Sequence, residues 1–371
     1  MKYINLNAQY NRLQNEIDAE VKKVMKECDF ILGKKEKEFE DNFAKYVGVD
    51  YAIGCSNGTA ALQLVYMAYG IGAGDAVFCP DMTFIASIEP AALLGATPVF
   101  CEIKCDNYNI DSDSLVSQIE AVIEEGKLKP KAIVAVDFLG NPADYDELKP
   151  IAEKYNLLLI EDAAQGIGGT YKGRKIGTLG DIATTSFFPT KPLGCYGDGG
   201  CVLTNDAAIA EKIKSLRVHG KGIDKYHNVA IGMNSRLDTI QAAVLDVKLK
   251  YLDEEIELRQ QKATVYDESL KEKFITPWVD TDNVCAYAQY VIIPKNGEDR
   301  QIYLDKLKAA DIPSILYYPT PMHRLPVFEG IECYGEGYSK TDWYADNSFG
   351  IPFSPYLSEE EQEKIIQTLM S

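Results

Sequence analysis

The chain has 371 residues, enough for two domains and a large core. Its 46% hydrophobic and 25% charged residues are those of an ordinary soluble globular protein. A formal net charge of -18 and a pI near 4.7 argue against nucleic acid or an anionic membrane surface as a partner, so a phosphorylated ligand would have to be held locally, by backbone amides and a few cations.

In chain order, Ile17 to Met25 reads as an amphipathic helix after an Asn15-Glu16 start, and Glu36 to Tyr46 as a second, with a turn at Gly33. Tyr51 to Cys55 is a short strand that runs into Ser56-Asn57-Gly58-Thr59 and a helix from Ala60 to Tyr69. Strand, small polar residues, then helix is the geometry of an anion cup, because a helix start offers unpaired N–H groups and glycine admits a close approach. Plain capping by Ser56 or Asn57 explains the same residues. The next strand, Ala76 to Pro80, turns through Asp81-Met82-Thr83-Phe84 into a helix over Ile85 to Leu94; Phe84 at that corner faces either a flat ligand or, by default, the core.

Thr97 to Glu102 and Ala132 to Asp137 are further strands, with a helix over Leu115 to Ile123 between them and another over Tyr145 to Tyr155 after them. This alternation predicts a largely parallel sheet buried on both faces, with ligands at the carboxyl ends of its strands. Leu157 to Ile160 is an apolar strand ending in Glu161-Asp162-Ala163-Ala164-Gln165, which sets at least one carboxylate at that edge. Ile182 to Phe188 is β-branched and aromatic, and Pro189 ends it. Lys191 then opens a Pro- and Gly-rich loop running to Gly200, where a solvated lysine has no obvious reason to be. A desolvated lysine amine forms a Schiff base with an aldehyde cofactor, and a carboxylate facing a pyridine nitrogen keeps it protonated; Lys191 and Asp162 together fit pyridoxal phosphate.

Val202 to Asn205 returns as a strand, followed by a helix over Ala207 to Leu216. Arg217 to Asp238 is a polar, glycine-spaced excursion in which Asn234 and Ser235 are explained most simply as helix caps. A helix from Leu237 to Leu252 and a long charged one from Glu254 to about Leu270 lead to a smaller α+β region, with strands over Ala286 to Ile293 and Ile315 to Tyr318 and helices over Gln301 to Ala309 and Ser358 to Leu369. The expected division is 1–250 and 251–371. Nine scattered cysteines (28, 55, 79, 101, 105, 195, 201, 285 and 333) show no zinc spacing and read as reduced thiols, and three histidines argue against a histidine-built metal centre. No apolar leader or membrane span is apparent, so a cytoplasmic location is expected.

With these residues in hand, the sequence resembles the DegT-type pyridoxal-phosphate-dependent nucleotide-sugar aminotransferases, of aspartate-aminotransferase fold (fold type I). The likeness covers nearly the whole chain and rests on Ser56-Asn57-Gly58-Thr59-Ala60-Ala61-Leu62, Glu161 to Gln165, Ser186-Phe187-Phe188-Pro189-Thr190-Lys191, and Asn234 to Ala243. It implies that Lys191 carries the cofactor and later moves a proton at the substrate carbon, and that Asp162 pairs with the pyridinium nitrogen. It further implies Gln165 near the ring hydroxyl, Phe84 on the ring face, Gly58, Thr59 and Ser186 on the phosphate, and Asn234 reaching that phosphate from a second subunit, hence a homodimer with shared sites.

The variants Lys191-Pro192-Leu193-Gly194 and Tyr287-Ala288-Gln289-Tyr290 resemble the subgroup acting on UDP-2-acetamido-2-deoxy-3-oxo-glucuronate with L-glutamate as donor, in surface polysaccharide synthesis. The alternative is a 4-keto-6-deoxy nucleotide sugar. Tyr317-Tyr318-Pro319 stands where relatives often have His-Tyr-Pro, near the sugar site; Arg236 and His323 complete the expected substrate contacts, Arg236 as the cation for a uronate carboxylate or else as the partner of Asp238 or a cap of its own helix. A dehydratase branch would replace the lysine by histidine, and a non-catalytic regulator would be expected to lose Lys191 or Asp162. A nicotinamide enzyme would need its glycine motif between a strand and a helix, whereas Gly70-Ile71-Gly72-Ala73-Gly74 follows a helix and precedes a strand.

Overall fold

A computed structural model describes every residue except Lys225, Glu332, Cys333, Gly335 and Glu336, so the thiol expected at Cys333 lies outside the described residues. The strands are β1 (Tyr51–Cys55), β2 (Asp75–Pro80), β3 (Thr97–Cys101), β4 (Lys129–Val136), β5 (Leu158–Asp162), β6 (Thr170–Tyr171), β7 (Arg174–Lys175), β8 (Ile182–Ser186), β9 (Gly200–Thr204), β10 (Phe274–Ile275), β11 (Tyr290–Pro294) and β12 (Phe349–Ile351). Seven of them form one sheet in the order β1-β9-β8-β5-β4-β2-β3. Only β9 runs against the rest, pairing antiparallel with both β8 and β1, so the fold is the expected α/β architecture with a mostly parallel sheet.

Side chains alternate across a strand, and here each face feeds its own core. From β2 and β4, Phe78, Ile133 and Ala135 enter one hydrophobic cluster while Val77, Ala132 and Val134 enter the other, which is why these strands read as continuous apolar runs. A third cluster, drawn from residues 263 to 369, surrounds the antiparallel sheet β10-β11-β12. Met322, Phe328, Tyr338 and Tyr344 pack instead against the large sheet's second cluster, so the C-terminal part is tied to the sheet that precedes it.

Several boundaries differ from the sequence expectations. The first helix runs from Leu6 to Glu27, capped by Asn5, whose side chain accepts from the Ala8 N–H; its first turns are polar and bury only Gln9 and Leu13, which hid them from a periodicity reading. The expected helix over Ile85 to Leu94 divides into a 3₁₀ turn (Ile85–Ser87) and a short helix (Glu89–Leu93) with Pro90 in its first turn. Lys250 and Tyr251 separate Thr239–Leu249 from Leu252–Leu270. Of Ile315 to Tyr318 only Ile315 pairs, with Gly350, while the stretch before Tyr290 bonds to a loop: the Ala286 and Ala288 N–H groups donate to the carbonyls of Gly140 and Leu139 at 2.8 and 2.9 Å. The helix Ser339–Asn347 and strand β12 were not expected.

The sheet brings the chemistry to one edge. Gly200 of β9 pairs with Cys55 at the end of β1 on one side and with Ser186 at the end of β8 on the other. The helix Gly58–Tyr69 therefore starts directly above Ser186, and Asp162 ends β5 one strand further along. Among the described residues no helix is long and apolar enough to cross a membrane.

Candidate active site

A cavity of about 900 Å³ opens at this edge. On its wall Lys191 sits in a turn closed by its own N–H donating to the Phe188 carbonyl at 2.9 Å. The residue is half-buried, and its amine meets no hydrogen-bond acceptor among the described residues. Burial lowers the amine to about 8, opposed only by the charge of Asp162. Asp162 is 5% exposed; Oδ2 accepts from the Ser87 hydroxyl at 2.7 Å and Oδ1 from the Ala164 N–H at 3.2 Å. Burial raises its pKa, and these two donors and Lys191 hold it back. Ser87 shares a 2.8 Å hydrogen bond with Thr83. Sequence reasoning missed Ser87, because nothing local marks a serine whose partner lies 75 residues away.

The structure separates the two adjacent carboxylates. Glu161 turns away and accepts the N–H groups of Gly177, Leu179 and Gly180, a loop-holding role, and Asp162 alone faces the cavity. Behind them Asp137 is buried, Oδ1 accepting from the Ala143 N–H and the Tyr145 hydroxyl while Oδ2 has no partner; burial and the neighbouring Glu161 raise its pKa strongly.

Strand, small polar residues and helix follow one another as the sequence suggests, and the capping reading is seen directly. Asn57 caps the helix, its side chain accepting from the Ala60 N–H at 2.8 Å, while Gly58 and Thr59 line the cavity. A Cβ on Gly58 would stand 2.8 Å from the Ser186 Cβ, and one on Gly200 would stand 2.4 Å from Asn57 backbone atoms; only glycines let strand end and helix start approach this closely. Phe84 departs from its default of facing the core: it is 54% exposed and lines the cavity, its ring centroid 5.8 Å from that of Tyr318. Gln165 also lines it, Oε1 accepting from the Leu139 N–H at 2.5 Å and Nε2 donating to the Tyr318 hydroxyl at 3.2 Å. Two buried polar atoms of cavity-lining residues, Thr184 Oγ1 and Gln289 Oε1, have no partner among the described residues.

Tyr317 and Tyr318 line the cavity; Asn234, Arg236 and His323 do not. His323 is engaged elsewhere, with Nδ1 2.6 Å from Asp81, Nε2 3.3 Å from Asp342 and its ring stacked on Tyr338. Asn234 is exposed at the end of the excursion. Arg236 is half-buried and makes no ion pair among the described residues, so the pairing with Asp238 is not formed. The excursion is anchored at both ends. Arg217 donates to Glu40, Glu36 and the Gly54 carbonyl at 2.7, 3.2 and 2.5 Å, and Ser235, whose N–H donates to the Arg217 carbonyl, shares a 3.0 Å hydrogen bond with Ser56. Between the anchors Ile223 and Ile231 are 94% and 90% exposed.

A buried amine, a buried carboxylate, a helix start and an open aromatic face around one cavity suit a flat, anionic aldehyde. The profile of the DegT/DnrJ/EryC1/StrS aminotransferase family matches residues 11–370. The UDP-2-acetamido-2-deoxy-3-oxo-D-glucuronate aminotransferase of Pseudomonas aeruginosa is 42% identical over 358 residues, 96% of each chain. The crystal structure of a DegT DnrJ EryC1 StrS aminotransferase from Brucella abortus is similar with a TM-score of 0.97 at 44% identity, covering 100% of this chain and 98% of that one. The X-ray structure of S. venezuelae DesV in complex with a ketimine intermediate is similar with a TM-score of 0.92 at 34% identity, covering 99% and 97%. The chain belongs to the DegT/DnrJ/EryC1/StrS aminotransferase family of pyridoxal-phosphate-dependent enzymes.

Proposed function

We propose that the protein moves an amino group from L-glutamate to the 3-oxo carbon of UDP-2-acetamido-2-deoxy-3-oxo-glucuronate, in the cytoplasm, for surface polysaccharide synthesis. The observation that carries the chemistry is the Lys191 amine, lowered to about 8 and without an acceptor, facing the same cavity as Asp162. The choice of sugar is supported by the likeness to the Pseudomonas aeruginosa enzyme.

The residues present fit pyridoxal phosphate. Gly58 and Thr59 at the helix start and the Ser186 hydroxyl would hold its phosphate, Asp162 its ring nitrogen, Phe84 its ring face, and Lys191 its aldehyde carbon; Gln165 would lie beside the ring hydroxyl. When bound, the cofactor supplies an electron sink for negative charge at the substrate carbon. Lys191, near pKa 8, is present in both protonation states at neutral to mildly alkaline pH, so the same amine can take a proton from the donor's α-carbon and return one to the sugar carbon. Ser87 and the Ala164 N–H favour the ionised form of Asp162 and fix its orientation. Gln165 holds the Tyr318 hydroxyl in place on the cavity wall.

A homodimer completes the site in this reading. Asn234 lies outside its own chain's cavity and would reach the phosphate of a second copy, with exposed Ile223 and Ile231 supplying apolar surface for that contact. Arg236, two residues on and without an ion pair among the described residues, would grip the uronate carboxylate. The test offers the holoenzyme 3-oxo-uronate and neutral 4-oxo-6-deoxy UDP-sugars side by side with L-glutamate and identifies the amino sugar by mass. Preference for the uronate is expected; preference for the neutral 4-oxo sugar overturns the sugar assignment and leaves the aminotransferase standing.

A further inference from the structure

We propose that Lys248 is a positioning residue for the reaction: from the helix Thr239–Leu249 it clamps the pinch of the loop that carries Lys191, and so sets where the Lys191 amine stands. This rests on the reading of Lys191 as the amine that carries the cofactor and moves the proton.

The loop leaves β8 at Phe187 and folds back on itself by Cys195, whose N–H donates to the Phe187 carbonyl at 2.8 Å. Gly194 closes the fold-back. A Cβ there would stand 2.5 Å from the Pro189 carbonyl oxygen and 2.8 Å from that of Phe188, so the two stems on either side of Lys191 touch at this glycine. In so tight a contact, where Gly194 goes Pro189 must follow. Lys248 reaches the pinch from outside the cavity, which it does not line. It is 3% exposed; Nζ donates to the Gly194 carbonyl at 2.6 Å and stands 4.2 Å from the centre of the Tyr196 ring. Two turns earlier on the same helix face, Gln241 takes both backbone groups of Tyr196: Oε1 accepts from its N–H at 2.8 Å and Nε2 donates to its carbonyl at 3.2 Å. One helix thus holds the loop at two neighbouring points.

Packing alone gives no reason for a lysine here. Lys248 makes no ion pair among the described residues, and burial lowers its amine to about 8, opposed chiefly by the charge of Glu255. An apolar side chain of that length would fill the same space without the cost of burying an amine. What the amine adds is the bond to Gly194. That bond bears on catalysis because Lys191 must meet the cofactor's carbon and then two substrate carbons, and a reacting group misplaced by about 1 Å can lose about 100-fold in rate.

The experiment compares the wild-type chain with Lys248→Met, which keeps an apolar stem and removes the amine, and with Lys248→Gln, one bond shorter but still carrying an N–H for the Gly194 carbonyl. On the holoenzymes the two half-reactions are followed separately: the change in cofactor absorbance on adding L-glutamate, then its reversal on adding the keto sugar nucleotide. Because one amine serves both, Lys248→Met should lower the rate of each by a similar factor, about 10- to 100-fold, with KM for both substrates nearly unchanged. On the cofactor-free chains, competitive acylation reads the Lys191 midpoint, which should rise from about 8 toward the ~10.4 of an exposed lysine as the loosened loop admits water. Lys248→Gln should move both readouts less. Unchanged rates, a loss confined to one half-reaction, a Lys191 midpoint that stays at about 8, or a loss in Lys248→Gln as large as in Lys248→Met would each overturn the assignment. Turnover that survives Lys191→Ala in the otherwise wild-type chain would instead overturn the reading of Lys191 beneath it.

Discussion

The edge of the large sheet and the excursion from Arg217 to Arg236 are built on opposite terms. At the edge, strand ends and a helix start bring Lys191, Asp162, Gly58 and Ser186 around one cavity, and the polar groups are either bonded or turned toward that cavity. In the excursion, the anchored ends and a few internal bonds, such as the Val229 N–H to the Gly220 carbonyl at 2.8 Å, hold a tip that exposes Ile223, Tyr226, Val229 and Ile231, and Asn234 lies outside its own chain's cavity. The difference teaches that the residues proposed for the covalent chemistry meet around one chain's cavity, whereas Asn234 and Arg236, proposed to finish phosphate and carboxylate binding, do not line it. Exposed apolar side chains at a segment whose ends are fixed are costly in an isolated chain and useful across an interface.

The largest expected effect tests the edge. Lys191→Ala removes the covalent catalyst and should lower turnover by several orders of magnitude while the chain remains folded by circular dichroism. Near-normal turnover would end the aminotransferase account of this cavity. A mixing experiment tests the excursion. Lys191→Ala and Asn234→Ala chains are each expected to be poor alone; allowed to exchange subunits, they should regain activity, because both lesions fall in one composite site and the other is whole. No recovery, with exchange demonstrated, would place Asn234 within its own subunit's site.

How much of this was legible in the sequence follows the same division. The strand Tyr51–Cys55 and the helices Tyr145–Tyr155 and Ala207–Leu216 coincide with their expected ends, because apolar period, capping residues and flanking turns agree there. That Lys191 and Asp162 share one cavity was legible because Asp162 ends β5 and Lys191 lies in the turn that follows the neighbouring strand β8, where position along the chain already implies position in space. Ser87 and the open face of Phe84 were not. Each is defined by a partner distant in sequence or by the absence of one, and no local pattern carries that. The three-residue strand β12, with Gly350 at its centre, has too few residues to show alternation.

A smaller effect sharpens the excursion's role. Arg236→Lys keeps the charge but loses the planar fork, and should weaken a uronate acceptor by about 1.5–3 kcal/mol, read as a rise in KM with cofactor affinity unchanged. Equal effects on uronate and neutral sugars would remove Arg236 from carboxylate binding. The smallest is a titration at the edge. Lys191's folded pKa is lowered to about 8, so the amine is protonated below and neutral above that value. Competitive acylation of the cofactor-free chain, followed by peptide mass analysis, should show Lys191 becoming reactive as pH rises through about 8, against ~10.4 for exposed lysines. Lys248, also lowered to about 8 by burial, donates to the Gly194 carbonyl at 2.6 Å and should stay unmodified for want of access. A Lys191 midpoint near that of surface lysines would show that water reaches the amine and weaken its role as proton carrier.

The paired anchors of the excursion have a consequence for how this protein can diverge. Arg217 ties the segment's departure to Gly54, and Ser235 ties its return to Ser56, so departure and return are both fastened within four residues of Gly58. The exposed tip at residues 221–231 is the part that can vary: insertions, deletions and new apolar residues there leave the strand end and helix start at Gly58 in place. Change at Arg217 has no such freedom, since its loss leaves Glu36 and Glu40 without their cation, at about 3–5 kcal/mol. Drift should therefore concentrate at residues 221–231 and stop at 217 and 235.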